Sequence, residues 1–374
     1  MKKNKKLIAM LGGGQLGLMF TQKAKLMGEK VLILDPDKNC PAGKIADKFI
    51  NSEYLDKEAL QLIKDSCDSC TIEFENIPYK TLQILEKKIK VFPNSNAVKI
   101  LQNRIFEKNF LKKENLPTTT FYEINSTNDL NLLLNINDWP YIIKTSTFGY
   151  DGKGQTIVNN FKELRLACQN LNSQSFVLEK KITLKKEVSQ IAACYKNKII
   201  FLPISENIHV NNILHKSLVP ANITLESENA IKKITKDIIN KLKYEGGLCV
   251  EFFIDNNDNI LVNEIEPRTH NSGHYSIEGC NISQFEHQVK ILLNHAPENS
   301  ILLSPVVMIN LLGDLWKNRE PNFKLIDTEN AFLHLYNKNE AKSGRKMGHF
   351  TIKNSSLNLA KKISDNIFNK LNEK

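Results

Sequence analysis

Two glutamates, Glu251 and Glu264, occupy positions where a protein could hold a divalent cation. They belong to two apolar runs that flank a turn rich in Asp and Asn, a pattern that predicts an antiparallel hairpin from 248 to 265. With Asn257 and Asp258 at the centre of the turn, the two carboxylates lie opposite each other on one face. Because like charges so placed repel, Mg²⁺ or Mn²⁺ would relieve the repulsion. We therefore predict a metal site; two solvated surface carboxylates are the alternative.

The segment after the hairpin is dense in hydrogen-bond donors. Residues 266–274 read E-P-R-T-H-N-S-G-H, which supplies a guanidinium, two imidazoles, an amide and a hydroxyl. Such side chains can bind phosphate and the edge of a heterocycle. Because Mg²⁺ is commonly held by one or two carboxylates plus substrate phosphates, the hairpin and this segment together indicate a nucleotide site.

A glycine-rich segment, residues 147–155, is a candidate cover for that site. It reads T-F-G-Y-D-G-K-G-Q and follows the predicted strand 141–146, which carries Lys144. Three glycines between two strands are typical of a flexible flap, whereas a Walker loop would end in G-K-[ST] and begin a helix. A mobile flap with a lysine and an aspartate suits covering a triphosphate and excluding water. A plain hairpin turn is the alternative.

The N-terminal segment predicts a second anion site. Residues 12–17 read G-G-G-Q-L-G between the predicted strand 7–11 and a predicted helix, and Asp35 ends the next strand. A G-x-G-x-x-G pattern with an acidic residue about twenty positions later fits a dinucleotide-binding fold. The same backbone N–H groups would serve a phosphate on any small substrate, so both interpretations stay open.

Two more glutamates, Glu73 and Glu75, fall at the end of the predicted strand 71–74. Open parallel sheets place their ligands at this edge. Contact with a substrate and salt bridges to lysines on neighbouring loops are equally compatible with the sequence.

The middle of the chain adds further polar candidates. A long amphipathic helix is predicted over 97–115, with Arg104 and Lys108 on it, and the first domain boundary is expected there. Glu179 ends a predicted strand and could accept a hydrogen bond from an adenine amine or a ribose hydroxyl. His209 is expected on a polar loop.

Near the C-terminus, Arg345 and Lys346 lie on a glycine-flanked turn, G-R-K-M-G-H over 344–349. They could reach an anionic substrate, or form an ordinary basic loop. The surrounding strands and the predicted helix 356–371 suggest a small β-rich domain.

The composition limits the class of protein. The chain has 374 residues, 41% hydrophobic and 25% charged, which is typical of a globular protein with two or three domains. Its net charge of +10 is spread along the chain rather than clustered, so we expect no nucleic-acid partner. Seven cysteines without paired spacing favour a reducing compartment, and the single C-x-x-C at 67–70 lacks the second pair that a zinc site would need.

The N-terminus resembles a secretion signal, but glycine interrupts its apolar run too early. No apolar stretch approaches the length of a membrane span. We therefore expect a cytoplasmic protein without a membrane partner.

Five segments together resemble one enzyme family: GGGQLG at 12–17, TIEFENIP at 71–78, GYDGKGQ at 149–155, NEIEPRTHNSGH at 263–274 and GRKMGH at 344–349. The chain is similar to the N5-carboxyaminoimidazole ribonucleotide synthetases, the ATP-grasp ligases of purine biosynthesis. The flap and paired glutamates alone would indicate only an ATP-grasp enzyme, whereas the last two segments are specific to this family. The match spans nearly the whole chain.

The resemblance implies an α/β and α+β fold. We expect a Rossmann-like, doubly wound domain over 1–96, an ATP-grasp domain over 97–297 and a small β-rich domain over 298–374. The resemblance also implies that ATP and bicarbonate form carboxyphosphate, whose carboxyl group passes to the 5-amino group of aminoimidazole ribonucleotide. ATP is then the co-substrate, Mg²⁺ or Mn²⁺ the metal, small molecules the partners, and a homodimer the assembly.

The resemblance further implies roles for individual residues. Metal would be held by Glu251 and Glu264, and the reacting groups would be oriented or stabilised by Asp151 and Lys346. The implied ATP ligands are Arg104, Lys144, Gly149, Tyr150, Asp151, Gly152, Lys153, Gly154, Gln155, Glu179, Lys180, Lys181, Ile182, Glu187, His209, Asn263 and Glu264. The implied ribonucleotide ligands are Gln15, Glu73, Arg268, His270, Asn271, Ser272, Arg345 and Lys346.

Two details depart from the family pattern. Leu18 stands where the family often has Arg, which removes one phosphate contact. Strict alternation also places Asn263 on the face opposite Glu264, so its role needs a β-bulge or a backbone contact.

Two other functions stay open at this point. Another ATP-grasp ligase could act on a different ribonucleotide or small acid. An NAD-dependent oxidoreductase would explain the first glycines but would leave the flap and the paired glutamates without a role.

Overall fold

The structure is a computed structural model that describes residues 6–147, 149, 153–171, 173–317 and 319–373. The N-terminal part is a five-stranded parallel sheet in the order β3-β2-β1-β4-β5. Its strands are nearly continuous apolar runs because helices cover both faces. The elements are β1 (Leu7–Leu11), α1 (Gln15–Leu26), β2 (Lys30–Asp35), β3 (Lys48–Asn51), α2 (Lys57–Ser66), β4 (Ser69–Ile72), α3 (Tyr79–Leu85) and β5 (Lys90–Val91).

The helix predicted over 97–115 is instead two helices, α4 (Ser95–Leu101) and α5 (Arg104–Lys113). Asn103 separates them, since its side chain accepts hydrogen bonds from the backbone N–H groups of Ile105 and Phe106. An asparagine in this position caps a new helix better than it continues an old one. The break brings Arg104 to the start of α5, where its own N–H donates to Ser146 O at 2.8 Å.

A four-stranded antiparallel sheet follows in the order β6-β9-β7-β8. The predicted flap joins β7 to β8, as expected. Its residues Phe148, Tyr150, Asp151 and Gly152 lie outside the described residues. The elements are β6 (Phe121–Ile124), α6 (Thr127–Leu132), β7 (Tyr141–Thr145), β8 (Gln155–Val158), α7 (Phe161–Asn170) and β9 (Phe176–Lys180).

The rest of the described chain forms one nine-stranded sheet. Its order is β15-β14-β10-β12-β13-β16-β18-β17, and β11 pairs with β10. The strands are β10 (Leu184–Tyr195), β11 (Lys198–Phe201), β12 (Ser205–Val210), β13 (Ile213–Val219), β14 (Gly246–Asp255), β15 (Ile260–Glu266), β16 (Val306–Leu312), β17 (Ala331–Leu335) and β18 (Lys346–Lys353). The helices are α8 (Leu225–Leu242), α9 (Ser276–Gly279), α10 (Gln284–Leu292) and α11 (Leu357–Asn372).

The C-terminal strands therefore extend the central sheet rather than forming a separate one, because β16 pairs directly with β13. The fold class is as expected: a doubly wound N-terminal part, a central ATP-grasp part and a β-rich C-terminal part. Among the described helices, each is too short or too polar to cross a lipid bilayer.

Candidate active site

The hairpin β14–β15 places Glu251 directly opposite Glu264, as predicted. The turn is centred on Asn257 rather than between Asn257 and Asp258, because Ile254 pairs with Ile260 and Phe252 with Val262. The register then shifts between Glu251 and Phe252. Asn263 is the extra residue of a β-bulge, and this bulge restores the predicted glutamate pairing.

The carboxyl group of Glu251 lacks a sufficient counter-charge. Burial, together with the charges of Glu264 and Glu187, raises its pKa to about 7, although the charges of His209 and Lys346 act against them. Mutual repulsion of this kind is relieved by a shared cation. The cluster therefore fits a divalent metal with oxygen ligands, as predicted from the sequence. The electrostatic effect of Lys346 on Glu251 also places the C-terminal turn beside the hairpin.

Glu264 connects the hairpin to the flap through Arg104. Arg104 Nη2 lies 3.3 Å from Glu264 Oε1 and donates to Gly149 O at 3.2 Å. At the other end of the flap, Gly154 has φ +72°, and a Cβ there would lie 2.6 Å from Thr145 Oγ1. Glycine is thus required at 154 for both conformation and space. Lys153 and Gln155 flank it, with Gln155 in register with Lys144.

Lys108 is a buried site residue to which sequence reasoning gave no role. Its side chain is 1% exposed, and Nζ donates to Asn263 O at 3.1 Å and to Thr118 Oγ1 at 2.9 Å. Nζ also lies 3.3 Å from Glu179 Oε2. Lys108 therefore fixes the β-bulge, while Asn263 Oδ1 is buried without a hydrogen-bond partner among the described residues. A lysine one turn after Arg104 was the available signal.

Glu107 was also missed. Its Oε1 accepts a 2.6 Å hydrogen bond from Ile265 N, the residue after the paired glutamate. Burial raises the pKa of Glu107 to about 8, and the charge of Glu264 adds to that rise. Glu107 and Lys108, which are adjacent on α5, thus bond the backbone on either side of Glu264, at Ile265 N and Asn263 O.

Glu179 lies between two lysines rather than in the open. Lys144 Nζ is 3.0 Å from Glu179 Oε1, and Thr119 Oγ1 donates to Oε2 at 3.1 Å. Burial raises the pKa of Glu179, but the charges of Lys108 and Lys144 outweigh burial and lower it to about 2. The carboxylate is charged, and its first role is to position Lys144.

The neighbouring ATP candidates lie where the two antiparallel sheets are joined. Lys180 Nζ is 3.3 Å from Asp138 Oδ2 and lies over the Tyr141 ring. Lys181 and Ile182 follow in the connection between β9 and β10. This connection borders the cleft that contains Lys144.

His209 lies on strand β12, not on the polar loop that we expected. Its Nδ1 is 2.7 Å from Glu187 Oε2 on the neighbouring strand β10. Burial lowers the pKa of His209, but Glu187 outweighs burial and raises it. Glu187 therefore favours the positively charged form of His209.

Arg268 is held by two carboxylates. Its Nε and Nη2 donate to Glu75 Oε2 at 2.9 and 2.7 Å, and Nη2 is 2.9 Å from Glu266 Oε2. Glu75 thus forms a salt bridge to an arginine rather than to the loop lysines that we considered. Arg268 would contact a ribonucleotide only with the guanidinium edge that these bonds leave unused.

The donor-rich segment divides into outward and inward side chains. His270 is partly exposed, and its Nδ1 lies 2.8 Å from Ser272 Oγ. Ser272 is fully buried, and Asn271 forms two reciprocal amide bonds with Asn310. The Asn271 and Ser272 side chains would have to leave these bonds to contact a substrate.

The backbone N–H groups of the glycine loop before α1 bind two carboxyl side chains of the protein. Glu73 accepts hydrogen bonds from Gly14 N at 2.5 Å and from Leu16 N at 3.0 Å, and Asp35 accepts one from Gly13 N at 2.7 Å. The amides that would bind a pyrophosphate are thus already in use, which argues against the dinucleotide interpretation.

Gln15 contacts the C-terminal part of the fold. Its Oε1 accepts from Lys338 Nζ at 2.8 Å, and Lys338 also donates to Lys346 O at 2.7 Å. Arg345 Nη1 donates to Glu340 O at 3.0 Å. The structure thus brings Gln15 and Lys346 together at the cleft, whereas sequence reasoning gave Lys338 no role.

Three family models match the chain. They describe a ribonucleotide synthetase preATP-grasp domain over residues 5–102, an ATP-grasp domain over 109–285 and a phosphoribosylaminoimidazole carboxylase C-terminal domain over 306–362. Together they follow the three parts of the fold in order.

Relatives and solved structures agree with these matches. N5-carboxyaminoimidazole ribonucleotide synthase of Staphylococcus aureus (strain COL) is 41% identical over 355 residues, which cover 94% of this chain and 93% of that protein. The crystal structure of N5-carboxyaminoimidazole synthetase from Staphylococcus aureus complexed with ADP matches with a TM-score of 0.90 at 38% identity and covers 99% of each chain. The Aspergillus clavatus synthase in complex with ADP and 5-aminoimidazole ribonucleotide matches with a TM-score of 0.88 at 27% identity, over 98% of this chain and 99% of that one. This chain therefore belongs to the N5-carboxyaminoimidazole ribonucleotide synthase family of ATP-grasp ligases.

Proposed function

We propose that this chain uses ATP to carboxylate the 5-amino group of 5-aminoimidazole ribonucleotide, a step of purine biosynthesis that releases ADP and phosphate. Bicarbonate is the proposed carboxyl donor. The observation that supports the proposal best is the Glu251–Glu264 pair, whose charge is under-compensated and which Arg104 connects to the flap. An under-compensated carboxylate pair beneath a glycine flap suits a metal–triphosphate substrate.

Glu251 and Glu264 would hold Mg²⁺ or Mn²⁺, with Glu187 and the bulged Asn263 beside them. The residues fit a hard cation, because the pKa of Glu251 is raised and Asn263 Oδ1 is unsatisfied among the described residues. When bound, the metal would neutralise charge on the transferring phosphoryl group.

The chain's own cations bind and orient ATP. Glu179 positions Lys144 and Glu264 positions Arg104, and Arg104 also donates to Gly149 O in the flap. In the first step a bicarbonate oxygen attacks the γ-phosphorus and the bond to ADP breaks, giving carboxyphosphate. Because carboxyphosphate hydrolyses quickly, the flap 149–155 must exclude water. At the other end of ATP, the adenine would be bordered by Lys180, Lys181 and Ile182.

The ribonucleotide would lie between the donor-rich segment and the C-terminal turn. The amine attacks the carboxyl carbon, phosphate leaves, and the nitrogen loses one proton. The amine is a weak nucleophile because its lone pair delocalises into the imidazole, so it must be oriented toward the carboxyl carbon. We assign this orientation of the amine to Asp151 together with His270. Lys346 would stabilise the developing charge, and Arg345, Arg268 and Gln15 would contact the phosphate-bearing part. Glu73, Asn271 and Ser272 contribute by holding the surrounding backbone.

The direct test is ADP release by purified protein, with 5-aminoimidazole ribonucleotide and bicarbonate added singly and together. We expect full turnover only when ATP, bicarbonate and the ribonucleotide are all present. Full turnover without the ribonucleotide, or none in the complete mixture, would contradict the proposal.

A variant tests the metal assignment. Glu264→Gln should lower turnover by about 100-fold or more, with a higher Mg²⁺ requirement, because one oxygen ligand loses its charge. Glu206→Gln is the matched control, since Glu206 pairs with Lys186 and alternation along β12 places it on the face opposite His209. An unchanged Mg²⁺ dependence in Glu264→Gln would remove the assigned role.

We also propose a homodimer, from the resemblance to the family. Light scattering should then give twice the 42.7 kDa mass of one chain. A single-chain mass at all concentrations would contradict this assembly.

A further inference from the structure

Three side chains of different chemistry meet at the inner edge of the proposed metal site. One ligand atom each of Cys249, Glu251 and His270 lies within 4.8 Å of the others. Cys249 and Glu251 are two positions apart on β14 and so share a face, while His270 comes from the segment after β15. Mg²⁺ prefers oxygen ligands to a thiol or an imidazole, so the function proposed above gives Cys249 no role and gives His270 a role toward the substrate alone.

The geometry suits a borderline cation. His270 Nε2 lies 3.8 Å from Glu251 Oε1. Tetrahedral zinc, with bonds of about 2.0–2.3 Å, separates its ligand atoms by on the order of 3.3–3.8 Å. The cluster would therefore need to contract by at most about 1.5 Å to bind Zn²⁺.

A shared outer partner orients two of the ligands. Ser272 Oγ lies 2.8 Å from His270 Nδ1 and 3.9 Å from Cys249 Sγ. Ser272 N also donates to His270 Nδ1 at 3.3 Å, so Nδ1 accepts, and the proton of the neutral imidazole lies on Nε2, which faces Glu251. A cation bound at Nε2 would take the place of this proton, which would move to Nδ1 and be donated to Ser272 Oγ, as metal-binding histidines usually donate through their other ring nitrogen. Gln284 fixes the His270 backbone by bonding both its N–H, at 2.9 Å, and its C=O, at 2.7 Å.

We propose that Cys249, Glu251 and His270 form a second, thiolate-containing metal site that takes Zn²⁺ or a similar transition-metal ion. On binding, the Cys249 S–H bond breaks, the proton passes to solvent, and the sulfur lone pair bonds the cation. The cation reaches the fully buried thiol from the side of Glu251 and His270, whose side chains are 18% and 15% exposed. Cys, His and carboxylate ligands are the set that zinc prefers.

Glu251 belongs both to this zinc site and to the proposed Mg²⁺ site, so zinc binding should affect activity. A carboxylate that binds Zn²⁺ with Cys249 and His270 is withdrawn from the Mg²⁺ position opposite Glu264. Zn²⁺ would therefore inhibit, and excess Mg²⁺ would relieve the inhibition. This second part rests on the proposed function, whereas zinc binding itself does not.

The binding test uses Co²⁺ and the full chain without nucleotide. A thiolate–Co²⁺ charge-transfer band should appear in the near ultraviolet for the unaltered protein and for Cys168→Ala, which removes a half-buried thiol elsewhere. Cys249→Ser should abolish the band, and competition should show Zn²⁺ affinity lowered by about tenfold or more. Cys249→Ala serves as a second variant, with thermal unfolding as the check on folding. Absence of the band in the unaltered protein, or its persistence in a folded Cys249 variant, would overturn the site.

The inhibition test compares ADP release at buffered Zn²⁺ concentrations. Cys249→Ser should keep its turnover and lose its sensitivity to Zn²⁺, while Cys168→Ala should stay sensitive. Equal inhibition of Cys249→Ser would overturn the link to activity. If no preparation turns over, the proposed function fails while the Co²⁺ result still decides the metal site.

Discussion

Single carboxylates in the cleft differ because their neighbours differ. Glu179 lies between Lys108 and Lys144 and is charged, with a pKa near 2. Glu251 lies among other carboxylates, and its pKa is about 7. A glutamate thus positions a cationic side chain where the protein supplies the counter-charge, and can bind a metal ion where the protein does not.

The raised pKa of Glu251 predicts pH-dependent metal binding. Below about pH 7 the carboxyl group is protonated and cannot bind a cation, so Mn²⁺ affinity should fall by about tenfold per pH unit on acidification. Electron paramagnetic resonance of free Mn²⁺, without nucleotide, measures that affinity. Glu206→Gln should show the same pH profile, and a flat profile between about pH 6 and 8 would contradict the prediction.

Among the secondary-structure elements, α5 does most to organise the site. Three of its first five residues, Arg104, Glu107 and Lys108, contact β15 or the bulge within it. The Asn103 cap starts a new helix there, and the first turn of this helix packs these side chains against β15.

Replacement of Lys108 tests this role of α5. Lys108→Met removes the donor to the bulge carbonyl and one of the two lysines that balance the charge of Glu179, so the free energy of unfolding should fall by about 3 kcal/mol and the KM for ATP should rise. Lys112→Met, on the exposed side of the same helix, should cost less than about 0.5 kcal/mol. Denaturant unfolding and ADP-release kinetics measure both. Equal effects of the two substitutions would show that Lys108 has no special role.

The loop before α1 depends on the space that glycine leaves for Glu73. A Cβ at Gly14 would lie 2.5 Å from Glu73 Oε1, so Gly14→Ala should destabilise the protein by about 1–3 kcal/mol. The cost should shrink when Glu73→Ala is also present, since the opposing group is gone. Gly28→Ala, where a Cβ meets nothing within 4 Å, should cost the same in both backgrounds. Strict additivity of Gly14→Ala and Glu73→Ala in denaturant unfolding would contradict this account.

On the scale of the whole molecule, one sheet connects the central and C-terminal parts. We keep the division at 1–96, 97–297 and 298–374 as a proposal, but β13 and β16 are hydrogen-bonded neighbours across the second boundary. The N-terminal and C-terminal parts are also in direct contact, since Lys338 bonds both Gln15 and Lys346.

The continuous sheet predicts the result of truncation. Removal of residues 306–373 would leave β13 as an unpaired edge and would expose the apolar cluster around Leu218. We expect the shortened chain to aggregate, because such an edge recruits other strands. Solubility and circular dichroism measure this. A soluble, folded fragment that binds ATP would show that the rest of the chain folds without the C-terminal strands and would contradict this prediction.

The sequence by itself determined the local features of this protein. Alternating apolar residues, turn residues and glycines predicted the hairpin, the parallel strands and the two strands that flank the flap, because these patterns act over a few neighbouring residues. The pairing of Glu251 with Glu264 was predicted from the hairpin pattern, but the structure reaches it through the bulge at Asn263. The break before Arg104 was missed because amphipathic periodicity continues across Asn103.

Only the tertiary structure decided which groups meet across the cleft. Lys108 reaches Asn263 over a separation of 155 residues, and Lys338 reaches Gln15 over 323. It also decided that the carboxylate of Glu73, not a ligand, fills the glycine loop. No local pattern encodes such contacts, since they depend on how the sheets pack and on which buried charges must find a partner once water is excluded.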